Sequence, residues 1–321
     1  MRKIICIGEC SLNVVFDTVG RPIGSMPGGR IVQAAAMLGR KGRQVIMATD
    51  TGADPVGDII VGFLERAGVD VRCVDRYTDG RTALNVTVIP SEAATPSATS
   101  SAALPSLTRY EQYPEEAFDI IWPRIDPGDI VLFGGHYAID RRMRERMSKL
   151  LAHAVERKAI MIYLPGFLPQ QQARITRVMP EILENMEIAH LIITRNKDLQ
   201  HIFGTSDAAD CYAKHISFYC RDMINVDADA GTINYFCNGD STSAAIPSDA
   251  HTMMWNAGAT AGIVDAIADV ADENLDLGSD KLRQDILSSA VRLGSETADL
   301  SQPNSLSADG PGPKHISSYI L

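Results

Sequence analysis

The sequence predicts an α/β fold on a largely parallel sheet. Two observations carry this: short β-branched runs alternate with helical stretches, and the helices between them have readable start and stop signals. A third refines it, because two strand-like runs break the alternation and predict a small second sheet.

The expected strands of the large sheet are Lys3–Ile7, Gln44–Ala48, Asp129–Phe133, Ala159–Tyr163, His190–Thr194 and Asp222–Val226. After the second of these, Asp54-Pro55 supplies an N-cap and a proline at the first helical position. The helix then runs to a glycine stop at Gly68. Arg141–Lys158 is expected to be a further helix, with Met143, Met147, Leu150, Leu151 and Val155 on one face and arginines opposite. Leu12–Phe16 and Ala83–Ile89 are the two runs with no helix beside them, and they predict a sheet covering one end of the domain. "SEAATPSATSSAALPS" and the tail "SADGPGPKHISSYIL" read as irregular. No internal repeat is present.

The chain has 321 residues, 45% hydrophobic and 22% charged, which fits one large α/β domain over 1–321 with a small insertion. Its formal charge of −10 argues against a nucleic-acid or anionic-membrane surface. No segment approaches the apolar length of a membrane span. The basic then apolar start "MRKIICIGEC" is cut short by Gly8-Glu9 and reads as a first strand, not a signal peptide. Six cysteines without a CxxC pair predict reduced, mostly buried thiols in a cytoplasmic protein.

Chemistry is expected at the glycine clusters. "PGGRIVQAAAMLGRKG" places Gly28 and Gly29 before a helix of small residues, while no GxxxxGK[ST] or GxGxxG is present, which excludes a P-loop and a dinucleotide fingerprint. "DTGADPVGD" reads as a capped turn, with Asp54 as the cap. "WNAGATAGIV" looks like the mouth of a phosphate-binding helix.

In order, "IGE", "PGG" before a small-residue helix, "GADPVG", "LERAGVDV", "RTALNVTVI", "DPGDIVLFGGHYAI" and "LIITRNKDLQHIFG" resemble the PfkB (ribokinase-like) carbohydrate kinases, closest to bacterial fructokinase-like members. The resemblance implies a ribokinase-like three-layer α/β/α domain with a mainly parallel central sheet. A small β lid is expected from about 11–28 and 78–112. The implied activity is ATP-dependent phosphorylation of a sugar hydroxyl, with Mg2+ and ATP as cofactors, a sugar or nucleoside as substrate, and a possible homodimer through the lid strands.

Carried over residue by residue, the sugar-binding acid falls on Asn13, the glycine pair on Gly28 and Gly29 with Arg30 next, and the sugar-binding asparagine on Gln33. An acid, an amide and a cation of the family are replaced together by "LPGFL" at Leu164–Leu168. Asp198 stands for the acid at the magnesium site. The nucleotide-contacting loop falls on Val226–Gly231, with Ala228 and Gly231 in its key places and Asp227 and Asp229 beside them. The anion hole falls on Asn256, Ala257 and Gly258, and the general base, which contributes roughly 10²–10⁴-fold in rate, falls on Ala259. Two residues are expected to be missing just after it, trimming the first helical turn. Asp265, six residues on, would be a substitute base only after a register slip.

Losses gathered at the phosphate end predict a pseudokinase, a sugar kinase relative with lost or strongly weakened catalysis. The alternatives are an active sugar or nucleoside kinase with a non-standard base, and a non-catalytic sugar-binding or regulatory protein.

Overall fold

The computed structural model describes residues 2–89, 106–114, 122–167, 174–247, 250, 252–270 and 276–299. The two irregular stretches expected from the sequence, apart from Ser106, lie outside these residues.

The chain opens with β1 (Ile4–Ile7), then β2 (Ser11–Asp17), β3 (Pro22–Gly28), α1 (Arg30–Arg40), β4 (Val45–Gly52), α2 (Pro55–Arg66), β5 (Val74–Tyr77), β6 (Arg81–Ile89) and β7 (Ser106–Gln112). It continues through β8 (Ile130–Gly135), α3 (Arg144–Glu156), β9 (Ile160–Pro165), α4 (Met179–Ile188), β10 (Leu191–Arg195), α5 (Asn196–Phe203) and α6 (Ala208–Cys211). The last elements are β11 (Asp222–Asp227), β12 (Thr232–Cys237), β13 (Asp240–Ala245), α7 (Met253–Ala268) and α8 (Asp280–Asp299).

Among the described residues nine strands form one sheet in the order β13-β12-β11-β10-β9-β8-β1-β4-β5. All neighbours are parallel except β11–β12 and β12–β13, which continue the sheet as antiparallel strands. Apart from the edge strand β5, strands of the parallel part are buried on both faces, as sheets covered by helices on each side must be. Ile4 and Cys6 pack on one side in the cluster that includes α1 and α7, and Ile5 and Ile7 pack on the other with α3 and α4. This gives three layers.

The six predicted strands of the large sheet all appear, and the two unaccompanied runs form the second sheet, β3-β2-β6-β7. There β2 pairs parallel with β6, in register from Leu12 opposite Leu84 to Asp17 opposite Ile89. The α2 start is as expected: Asp54 accepts from Gly57 N–H at 2.8 Å, and Pro55 begins the helix. The same carboxylate accepts from both the N–H and the hydroxyl of Thr82 at 2.8 Å, so it also ties the small sheet to the large one. The α3 helix is shorter than predicted, and Val155 is 42% exposed instead of joining the apolar face, because Ala154 takes the buried position of the last turn. All six cysteines are buried free thiols.

Position in the sheet decides where a site can form. From β1 the chain moves outward through β4 to β5, then crosses to the other side of β1 to begin β8. In open α/β sheets a crevice opens beyond the C-terminal strand ends where the strand order reverses in this way.

Candidate functional site

A cavity of about 340 Å³ lies at this switch point. Gly8 and Glu9, just after β1, and Gly134, Gly135 and His136, at the end of β8, form its floor. Ser11, Asn13, Asn85 and Arg109 come from the small sheet, Leu164, Gly166 and Phe167 from the end of β9, and Arg195, Lys197 and Asp198 from the β10–α5 junction. Met253 and Asn256 reach it from α7. The volume is in the range of small-molecule pockets.

The small-sheet wall is a hydrogen-bonded polar cluster. Asn85 Nδ2 donates to Asn13 Oδ1 at 2.7 Å and to Ser11 Oγ at 3.0 Å, and Arg109 donates to Asn85 Oδ1 at 3.2 Å. Gly28 does not line the cavity. A Cβ there would come within 2.5 Å of the Asn13 amide and the Ser11 hydroxyl, so this glycine makes room for the cluster. Gly29, whose φ of 104° suits glycine, and Arg30 do line it. Gln33 does not. It is buried in α1, and its amide donates to the Pro27 carbonyl, which corrects its expected place among the ligand contacts.

At the floor, Glu9 accepts from Tyr137 N–H at 2.8 Å. His136 Nδ1 is buried without a hydrogen-bond partner among the described residues. Behind β1, Asp50 sits near Arg142, Asp75 and Asp140. Burial pushes its pKa up to about 7; Arg142 lowers it, and the two neighbouring carboxylates raise it further. An acid whose folded pKa lies above its unfolded value keeps a proton that the unfolded chain gives up. Stability is therefore expected to fall as pH climbs from about 4 to about 7, and to level off above that. Melting temperature measured across that window should decline more steeply in the wild type than in Asp50→Asn.

The phosphate end differs most from expectation. Thr252, not Asn256, caps α7, its hydroxyl accepting from Trp255 N–H at 3.1 Å. Asn256 therefore lies in the second turn and its N–H is spent on the Thr252 carbonyl. Ala257 and Gly258 follow inside the helix, so no anion hole opens at 256–258. A Cβ on Gly258 would collide with Thr297 Oγ1 and the Leu293 carbonyl, which makes this glycine a contact between α7 and α8. Ala259 is buried in the core, away from the cavity. The helix starts earlier than the motif suggested, and the side chains its N-terminal part turns toward the cavity are Met253 and Asn256. The Asn256 amide donates to the carbonyls of Ala250 and Thr252 at 2.9 and 2.8 Å.

Asp265 is equally far from the expected role. It is buried beneath α1 and paired with Arg43 Nε at 2.6 Å and Lys41 Nζ at 3.3 Å. Arg30 begins α1 at the cavity and Lys41 follows its last residue, so this ion pair sits about 16 Å from the cavity at 1.5 Å per residue.

Asp198 does line the cavity, but guanidinium groups take its oxygens: Arg195 donates at 2.6 and 3.0 Å, and Arg30 approaches at 3.4 Å. Burial by itself would raise the Asp198 pKa; Arg195 and Arg30 outweigh it and hold the pKa low. These residues fit arginine, not a magnesium ion, and among the described residues no group of three or more His, Cys, Asp or Glu side chains could hold a metal. Ala228 and Gly231 form the tight β11–β12 turn, where Asp227 accepts from Ala230 N–H at 2.9 Å. The adjoining groove is lined by Asp207, Asp227 and Asp229, like charges for any phosphate chain.

Glu9, Asn85, Arg109, His136, Arg195 and Lys197 were not anticipated as site residues. Arg109 and Asn85 fall on strands already expected in the small sheet, and their place could have been read from strand alternation. The others depend on which strand ends meet, which a single sequence does not reveal.

A three-layer α/β/α domain with a second sheet over a cavity at the switch point defines the ribokinase-like class. Residues 1–217 match the pfkB family carbohydrate kinase, and the chain belongs to this family. No match is found among curated protein sequences. Solved structures similar to it include fructokinase from Vibrio cholerae O395 bound to fructose, ADP and calcium ion, with 13% identity, 94% of each chain covered and a TM-score of 0.76. Aminoimidazole riboside kinase from Salmonella enterica, complexed with aminoimidazole riboside and an ATP analog, gives 14% identity, 94% of each chain and 0.74. An uncharacterized sugar kinase from Pyrococcus horikoshii gives 14%, 90% of each chain and 0.70. At these identities the likeness is one of fold. Among the described residues no helix is long and apolar enough to cross a membrane.

Proposed function

We propose that the chain binds a sugar or nucleoside in the cavity beneath its small sheet and has lost, or strongly weakened, phosphate transfer. The observation that carries this reading is the mouth of α7: among the described residues its cavity-facing side chains are Met253 and Asn256, and neither can accept a proton from a hydroxyl. Among the described residues the two carboxylates that line the cavity are engaged elsewhere, Glu9 with Tyr137 N–H and Asp198 with Arg195. The acidic groove beside the β11–β12 turn further disfavours a triphosphate.

In this reading the small sheet is the lid of a single domain, and the Asn13–Asn85–Ser11 cluster engages vicinal hydroxyls. The sheet's outer strands, β3 and β7, leave edges to which a second copy could pair. Binding needs no base; phosphate transfer needs one to take the hydroxyl proton.

The test is titration calorimetry with hexoses, pentoses and nucleosides, followed by ADP release with Mg-ATP for each ligand that binds. Binding with release at the level of the blank is expected. Ligand-dependent turnover on the order of 1 s⁻¹ would show a working kinase.

A further inference from the structure

The cavity reverses the sign of the chain around it. The protein carries −10 overall, yet among the described residues the cavity is lined by Arg30, Arg109, Arg195 and Lys197 against Glu9 and Asp198. Arg109 is answered by Glu111 in its own strand, and Glu9 is turned onto a backbone N–H. That leaves Arg30, Arg195 and Lys197 on one wall with a single carboxylate among them. Asp198 gives its short contacts to Arg195, and Arg30 reaches it only at 3.4 Å.

Arg30 is 13% exposed at its side chain and meets no other acceptor among the described residues. The cost is visible in both outlying cations. Burial lowers the Arg30 pKa to about 10, with Asp198 only partly offsetting it, and burial and then the Arg195 charge lower the Lys197 pKa. A buried guanidinium with free N–H groups is suited to a planar or tetrahedral oxyanion, which it can grip through two parallel hydrogen bonds. The opposite wall offers the Asn13, Asn85 and Ser11 groups, suited to hydroxyls, some way across the same small cavity.

We propose that the ligand is a polyhydroxy molecule bearing an oxyanion, a carboxylate or a phosphate, which docks directly between Arg30, Arg195 and Lys197 without a metal ion. This rests on the sugar-binding reading above and narrows its substrate class. Arg195 and Lys197 lie within three residues of Asp198, the position onto which the family resemblance carries the magnesium-site acid.

The test is titration calorimetry in EDTA with matched pairs: glucuronate against glucose, fructose 6-phosphate against fructose, and ribose 5-phosphate against ribose. Inorganic phosphate, acetate and ATP serve as probes without sugar recognition or with a nucleotide. At least one sugar anion is expected to bind tenfold or more tighter than its neutral parent, and which pair responds separates carboxylate from phosphate. Arg30→Gln should remove that preference. Lys197→Gln should reduce it severalfold. Equal binding of neutral and charged partners would overturn the proposal and leave the sugar-binding reading standing. So would a requirement for Mg2+, inorganic phosphate binding as tightly as any sugar phosphate, or binding of ATP alone. If no sugar binds, neutral or charged, both fall together.

Discussion

Replacing Ala259 with aspartate is expected to destabilise the protein by about 4 kcal/mol and to restore no activity. The motif suggests that this change would return a general base. In the folded chain, however, Ala259 is 1% exposed in the core that α7 shares with α1 and α8. A carboxylate there would have no partner, and an uncompensated buried charge costs roughly 3–5 kcal/mol before the added volume is counted. That is a large share of the ~5–15 kcal/mol available to a typical domain. Because burial would favour the protonated acid, the loss measured by urea unfolding should be smaller at pH 5 than at pH 8. ADP release by Ala259→Asp should not exceed that of the wild type. A gain in turnover would mean that the helix register described here is wrong.

The second large effect is expected at the opposite end of α1. Arg43→Ala removes the closest partner of Asp265, leaving that buried carboxylate with Lys41 at 3.3 Å and Asp269 without its own arginine. A loss of about 3 kcal/mol follows from breaking one side of a buried pair. Asp265→Asn should cost less, since Arg43 keeps Asp269. Neither variant should change ligand affinity or ADP release, because the pair lies far from the cavity. Calorimetry on both, at a temperature where each is folded, checks this. Turnover that is present in the wild type and abolished by Asp265→Asn would mean that Asp265 is the missing base after all.

These two residues also mark where sequence reasoning stopped. The strand–helix alternation, the Asp54 cap and the second sheet were legible because each depends on local pattern: β-branched runs, capping residues and glycine stops. The small-molecule end was partly legible, since Asn13, Gly29 and Arg30 sit within a few residues of strand ends already recognised. The α7 mouth was not. "NAGA" resembles an anion-binding turn, but Thr252 caps the helix four residues earlier, and the same small residues serve instead to let α8 approach. Small residues admit a phosphate and a neighbouring helix equally well, and only the tertiary contact decides between them. Asp198 was read as the stand-in for a magnesium-site acid, and in the folded chain it lines the cavity with its oxygens on guanidinium groups. What changed its role was Arg195 beside it and Arg30 from a distant helix, a pairing that sequence spacing does not disclose.

The most direct measurement is a single-turnover experiment. Protein in excess over ATP labelled on its γ-phosphate is mixed with Mg2+ and a saturating concentration of whichever sugar or sugar anion binds most tightly. The quenched products are then followed for hours. A cavity that binds without a base at the α7 mouth should leave the label on ATP, at the rate seen without protein. Label moving to the bound sugar within seconds would contradict the account, because it would require a proton acceptor that Met253, Asn256, Glu9 and Asp198, as they are held here, do not supply.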